Sequence, residues 1–315
     1  MEISLPQAAE MLHSANTIVL TAHVHPDGDS LGSMLALYAA LQADGKKVWM
    51  LLDDVVPATY HFLPNWKKIS KPVDNDRFTP DLLVILDASD SERIGKVQNI
   101  VKAPILNIDH HISNTKFADY YYIDSKVAAT GEIILALLKL MKSKVTADIG
   151  TCLYTAIATD CGFFRYANTS ASTLRDAADL VEAGAQPQCI SEALEQRSIA
   201  NLITLTKVLQ TIETHHEGKI ATMTILPDLL NEPDENTEGF INYARSIEGV
   251  EIAILFRAID ERTVRISFRS HRADVSQVAL AFGGGGHIRA AGCTVHDTLE
   301  NAMAHVLPVA IAQIR

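Results

Sequence analysis

Short apolar runs and helical patterns alternate through the first half of the chain. Residues 18–21, 48–52, 82–86 and 104–108 read as buried strands, because their apolar positions run on rather than alternate. Between the first two, Leu31, Met34, Leu35, Tyr38 and Leu41 recur at helical spacing over 30–43, and Gly45 stands where such a helix would stop. Strands alternating with helices predict an α/β fold: a mostly parallel sheet with helices on both faces. From about 130 to 215 helical patterns dominate, at 131–141, 146–158, 170–183 and 187–211. The last, with Ile199, Leu202, Leu205 and Leu209 on one side, reads as a single connector. Beyond it the texture changes. Strands are predicted at 219–226, 250–258 and 263–270, and helices at 238–247, 274–282 and 298–314, with Pro308 expected to kink or interrupt the last. This pattern divides the chain into an α/β domain over 1–190, a helical linker over 191–216 and a smaller α/β domain over 217–315.

Composition narrows the partners more than the fold. The 315 residues are 48% hydrophobic and 21% charged, an ordinary globular balance. No run reaches the roughly 18 apolar residues of a membrane span. The opening MEISLPQAAEMLHSANTIVL lacks the basic region and cleavage site of a signal peptide, so a cytoplasmic enzyme is expected. Cys152, Cys161, Cys189 and Cys293 are scattered without a C-x-x-C pair, and read as buried, reduced thiols. A net charge of -11 argues against a surface that tracks long nucleic acid. Small anionic substrates fit better.

The chemistry-bearing residues sit where the strands run out. His23, His25, Asp27 and Asp29 follow the first strand, Asp87 follows the third, and Asp109-His110-His111 follows the fourth. Asp160 ends the apolar run 153–158. Ligands of open α/β sheets bind outside the carboxyl ends of the strands, so these residues belong to one rim. Pro26-Asp27-Gly28-Asp29-Ser30 alone would serve as a turn and helix N-cap, and a lone Asp87 is ambiguous. All of them together form an acidic cluster that repels itself unless cations neutralise it. Imidazole and carboxylate donors without thiolate suit divalent ions such as manganese better than structural zinc.

In these motifs the chain resembles the DHH phosphoesterases, a family named for the triplet at Asp109-His110-His111. His23-x-x-x-Asp27-x-Asp29, Asp87, the triplet and Thr159-Asp160 match its four motifs in order. Phe268-Arg269-Ser270, Asp274-Val275-Ser276 and Gly283-Gly284-Gly285-Gly286-His287 resemble the DHH-associated substrate domain. Size and this signature place the resemblance nearest the nanoRNase and pAp-phosphatase (NrnA-type) branch. It implies two Mn2+ ions, with Mg2+ or Co2+ as substitutes. His23, Asp27 and Asp87 would hold one; Asp29, Asp87, His110 and Asp160 the other, with Asp87 bridging. His111 would face the phosphate, Asp109 would orient the histidines, and His25 stays open between a supporting and a spectator role. The implied reaction is attack on phosphorus by a hydroxide shared between the metals. The implied substrates are very short RNA, or pAp cleaved to AMP and phosphate.

The glycine run 283–286 permits positive φ and close backbone approach, and its N–H groups can form an anion-binding nest. With His287, with Arg269 and Ser270 upstream and with Arg165, it is expected to bind substrate. Phe163 is open between base stacking and core. Metals on one domain and clamp on the other predict a cleft that measures substrate length. The rival readings are a linear or cyclic dinucleotide (pApA, cyclic di-AMP) phosphodiesterase, a manganese inorganic pyrophosphatase, a RecJ-like exonuclease and a non-catalytic nucleotide sensor. The helix at 131–141 suits either the core or a subunit interface; the resemblance implies a homodimer.

Overall fold

The structure is a computed structural model that describes residues 1–74, 77–231, 237 and 239–314. The backbone divides into two compact units, Met1–Gln196 and Arg197–Arg315. The first contains α1 (Leu5–Ser14), β1 (Thr17–Ala22), α2 (Gly28–Ala43), β2 (Lys47–Leu51), β3 (Ile69–Ser70), β4 (Leu82–Leu86), α3 (Val97–Ile100), β5 (Ile105–Asp109), β6 (Tyr120–Ile123), α4 (Thr130–Leu140), α5 (Ala147–Asp160), α6 (Ala171–Glu182) and α7 (Pro187–Glu195).

Its six strands lie in the order β3-β2-β1-β4-β5-β6, and every pairing is parallel. The chain builds outward from β1 to β3, then returns to the other side of β1 with β4. The strand order therefore reverses between β1 and β4, and a crevice opens there at the carboxyl ends. Side chains alternate across the sheet as the pleat requires. Ile18, Leu20, Val84 and Leu86 face the thick helical layer, where they join Leu31, Leu35, Leu153 and Ile157. Val19, Leu83 and Ile85 face the other way and meet Val97 and Ile100 of the short α3. That second layer is much thinner than the first.

Helices α2 and α5 approach closely because glycine lines the contact. A Cβ on Gly28 would collide with the Thr159 side chain, and one on Gly32 with the Cys152 carbonyl. The first and fourth sequence motifs are thereby pressed together.

The second unit contains α8 (Ile199–Leu209), β7 (Glu213–His215), β8 (Ile220–Ile225), α9 (Ile241–Arg245), β9 (Ile252–Asp260), β10 (Thr263–Ser270), α10 (Val275–Ala281), β11 (Gly285–His287), β12 (Ala290–Val295) and α11 (Leu299–Ile311). Its sheet order is β11-β12-β10-β9-β8-β7, with β8 and β9 parallel and the other pairs antiparallel. Ile252, Ile254 and Phe256 pack on α10 and α11, while Met223, Ala253 and Leu255 pack on α8 and α9.

Several expectations need correction. The single helix at 187–211 is two, because the chain turns extended at Gln196, and Ser198 caps α8 by accepting from the Asn201 N–H. Pro308 sits inside α11 without ending it. The helix expected at 238–247 is α9, and position 238 lies outside the described residues. Cys189 is exposed, whereas the other three cysteines are buried. Among the described residues no helix is long and apolar enough to cross a membrane.

Candidate metal centre

Strand ends and helix starts deliver the acidic cluster. His23 leaves β1, Asp27 caps α2, and Asp29 lies in its first turn. Asp87 leaves β4, Asp109 ends β5, and Asp160 is the last residue of α5. The structure brings all of them together at the β1/β4 crevice, with His110 and His111.

Asp87 stands at the centre. Its Oδ2 lies 3.5 Å from His23 Nε2 and its Oδ1 3.5 Å from His110 Nε2. His23 Nε2 is also 3.6 Å from Asp27 Oδ2. His110 Nε2 is also 3.6 Å from Asp29 Oδ2 and 3.5 Å from Asp160 Oδ2. These separations are too long for hydrogen bonds. They are close to the roughly 3.0–3.4 Å between neighbouring donors that each sit about 2.1 Å from a shared ion. His23-Asp27-Asp87 and Asp29-Asp87-His110 are thus two donor groups with one carboxylate in common.

Two further features fit a cation. The His23 Nδ1 is 2.8 Å from the Val24 carbonyl, which accepts only if that nitrogen carries the proton. Nε2 is thereby the ring nitrogen turned toward Asp27 and Asp87, and with an ion bound the neutral ring would offer it a lone pair there. The buried Oδ2 of Asp160 has no hydrogen-bond partner among the described residues, a costly arrangement unless something positive sits there.

Other oxygens of the cluster are tied to the scaffold. Asp27 Oδ1 accepts from the Ser30 N–H at 2.9 Å, so its capping role and its place beside His23 coexist. Asp29 Oδ1 accepts from Ser33 Oγ and the Gly131 N–H, and Oδ2 accepts from the Thr130 N–H at 2.6 Å. The start of α4 therefore holds Asp29 with its orphan amides. Thr130 Oγ1 donates to Asp87 Oδ1 at 3.0 Å. Asp87 itself adopts φ of 56°, a left-handed conformation unusual for a non-glycine residue.

Burial and mutual charge shift the groups of the cluster in different directions. Burial alone would lower His23, but Asp27 and Asp87 outweigh it and raise the imidazole to about 10. Burial raises Asp160 to about 6, with Asp87 and Asp27 adding to it against His110. Burial and the neighbouring carboxylates Asp87 and Asp160 also push Asp29 up. Burial would raise Asp87 too, yet His23 and His111 bring it down to about 2.

Asp109 differs from the other carboxylates. Its Oδ1 lies 2.7 Å from His111 Nδ1, a true hydrogen bond, and accepts from the His110 and His111 N–H groups. Its Oδ2 accepts from Asn114 Nδ2 at 2.6 Å. Burial opposes protonation of His111, but Asp109 and the charge of Asp87 raise it to about 9. His25 is exposed, with its N–H bonded to Asp54 Oδ2 at 2.6 Å and its ring 3.2 Å from the same oxygen. It stands outside the cluster. The sequence reading missed Thr130, Asn114 and Ser33; the Thr130-Gly131 pair opening an apolar helix was the available signal.

In the second unit the arrangement is less open than expected. Ser270 is buried and donates to the Ala273 carbonyl at 2.6 Å, a structural use. Arg269 is half-buried on β10, and its Nη1 donates to the Phe268 carbonyl. Within the glycine run, Gly285 and Gly286 join half-buried His287 in edge strand β11, paired on one side to β12. Gly283 and Gly286 need their positive φ, and a Cβ on Gly284 would strike the Gly292 carbonyl. In the first unit, Arg165 is exposed with Nε donating to the Gly162 carbonyl, and Phe163 packs against the core.

This geometry agrees with the sequence comparisons. The model of the DHH family, N-terminal domain, matches residues 17–157, and that of the DHHA1 domain matches residues 222–315. The chain is 35% identical to the bifunctional oligoribonuclease and PAP phosphatase NrnA of Thermus thermophilus, covering 95% of this chain and 91% of that protein. The chain belongs to the DHH family. It is a phosphoesterase of that family, and metal dependence goes with it. The Bacillus subtilis protein of the same name is 25% identical, over 90% of each chain. An exopolyphosphatase-related protein from Bacteroides fragilis shares the fold with a TM-score of 0.86 at 24% identity, over 98% of this chain and 95% of that one.

Proposed function

We infer that this DHH phosphoesterase uses two manganese ions to hydrolyse very short oligoribonucleotides and pAp. The observation that carries the reading is the division of Asp87, with one oxygen 3.5 Å from His23 and the other 3.5 Å from His110. His23, Asp27 and Asp87 would hold one ion, and Asp29, Asp87, His110 and Asp160 the other. An all-nitrogen-and-oxygen donor set suits manganese, with magnesium or cobalt as substitutes. When bound, the ions activate water for attack and neutralise charge growing on the phosphoryl oxygens. His111, oriented by Asp109, meets the phosphate and supplies a proton to the leaving oxygen. Arg269 and the 283–287 segment hold the substrate, with Arg165 an additional cation. The products are a nucleoside monophosphate and a shortened nucleotide, or AMP and phosphate from pAp. The substrates come from the relatives named above, and the reduced thiols suit the cytoplasm. A homodimer is the assembly we adopt.

A product-resolved assay over pAp, pApA, cyclic di-AMP, pyrophosphate and longer RNA, with manganese and magnesium compared, tests the reading. Turnover of pAp and pApA is expected, faster with manganese and abolished in Asp87→Ala that still folds. Fastest turnover of pyrophosphate, or long RNA cut as fast as a dinucleotide, would contradict it.

A further inference from the structure

A second cavity of the first unit opens on the same rim, at the outer strands. Its volume is about 400 Å³, and its walls include Asp54, His61, Trp66, Lys67, Ser70 and Lys71. That volume is within the range of small-ligand sites. Ser70 pairs with Leu51 at the carboxyl end of β2, so the cavity faces the edge from which His23 and Asp87 emerge. Adjacent strands lie about 4.8 Å apart, which puts the β2/β3 end two spacings, about 10 Å, from the β1/β4 crevice.

The loop leaving β2 is fastened to that crevice. Asp54 Oδ2 accepts from the His25 N–H at 2.6 Å, between His23 and Asp27. Asp53 Oδ2 accepts from the Lys96 N–H at 2.9 Å, in the loop that follows β4. Side-chain hydrogen bonds from Asp53 and Asp54 thus tie the cavity wall to the metal-centre loops.

Its lining has an uncommon composition for so acidic a protein. The rings of His61 and Trp66 stack at 3.6 Å between centroids and 5° between planes. His61 is exposed while Trp66 is half-buried against the core, so the pair forms an anchored aromatic platform. Lys67 and Lys71 are exposed beside it, and Lys67 Nζ is 5.7 Å from the Trp66 ring centroid. A flat π surface suits a heteroaromatic base, and two ammonium groups suit an anion attached to it.

We propose that this cavity is a second nucleotide site, taking a nucleoside monophosphate unit with its base on the His61–Trp66 platform and its phosphate at Lys67 and Lys71. Its ligand is the nucleotide next to the bond being cut, and that identity rests on the function proposed above; the binding itself does not.

The chain has two tryptophans, Trp49 and Trp66, so Trp49→Phe leaves Trp66 fluorescence as a reporter in the full-length protein. With EDTA present, AMP should quench it saturably, and adenosine and inorganic phosphate should each bind at least about ten-fold more weakly. Lys67→Glu/Lys71→Glu, and separately His61→Ala, should weaken AMP by a similar factor. No response to millimolar AMP, adenosine binding as well as AMP, or AMP binding untouched by both variants would overturn the site. In turnover assays with metal, the charge-reversal variant should lower kcat/KM for pApA relative to pAp by about ten-fold. Weakened AMP binding with an unchanged ratio would keep the site and make a free mononucleotide its ligand. Wild type that binds AMP but turns over neither substrate would refute the proposed function alone.

Discussion

At Asp160, burial and neighbouring charge act together on one carboxylate. Its Oδ2 is buried without a partner, and its carboxyl rises from 3.8 to about 6, chiefly through burial. A folded pKa above the unfolded one means that ionisation costs stability as pH rises through about 6. The cost is on the order of 1–3 kcal/mol, after allowance for the part of the side chain that water reaches. Metal-free Asp160→Asn should therefore melt a few degrees higher than wild type at about pH 8. The gap should close as pH falls from about 6 toward 4, where the wild-type carboxyl holds its proton in the fold. The same variant should bind manganese more weakly. Calorimetry in EDTA checks the first part, and an equal or lower melting temperature at about pH 8 would contradict the unpaired carboxylate.

Elements position the cluster, and glycine lets them approach. Gly28 lies between Asp27 and Asp29, against Thr159, so Gly28→Ala has to push α2 off α5. Overpacking of this kind costs about 1–3 kcal/mol, and here it also displaces two metal-facing carboxylates. Gly45→Ala is the control. It meets no neighbour within 4 Å at φ of 76°, and should cost about 1 kcal/mol of backbone strain. Denaturant melts with manganese titration should show metal affinity falling in the first variant and holding in the second. Equal manganese affinity in both would sink the packing argument. At this scale the sequence was read well wherever an apolar run was unbroken. β1, β2, β4 and β5 are runs without alternation, and each was found within a residue or two. Short β3, β6, β7 and β11 were not, because edge strands draw their order from a neighbour's hydrogen bonds; internal β12 was missed too, since Gly292 and Thr294 interrupt its apolar pattern. The break at Gln196–Ser198 was hidden because both flanking segments share one helical period.

Across the whole molecule, the order of the chain explains why so much of the site was visible. Strand order 3-2-1-4-5-6 places the loops after β1 and β4 side by side, so acids separated by sixty residues were legible as one cluster from their strand-end positions. Asp160 ends a helix rather than a strand, and the close packing of α5 on α2 brings it to the same cluster. Less visible were the groups that hold the cluster: Thr130, Ser33 and Asn114 carry ordinary helix-start and turn identities, and only contact reveals their use. The second unit was harder still. Two of its four clustered glycines, Gly285 and Gly286, belong to edge strand β11, which pattern alone does not distinguish from a loop. The aromatic cavity at β2 and β3 went unnoticed because His61 and Trp66 carry no motif.

The proposed chemistry requires two cations sharing Asp87. Anomalous diffraction at the manganese edge, from crystals of the full chain soaked in the metal, addresses that directly. It predicts two peaks flanking the Asp87 carboxylate, one on the His23 side and one beside His110. A single peak, or manganese found away from Asp87, would contradict it.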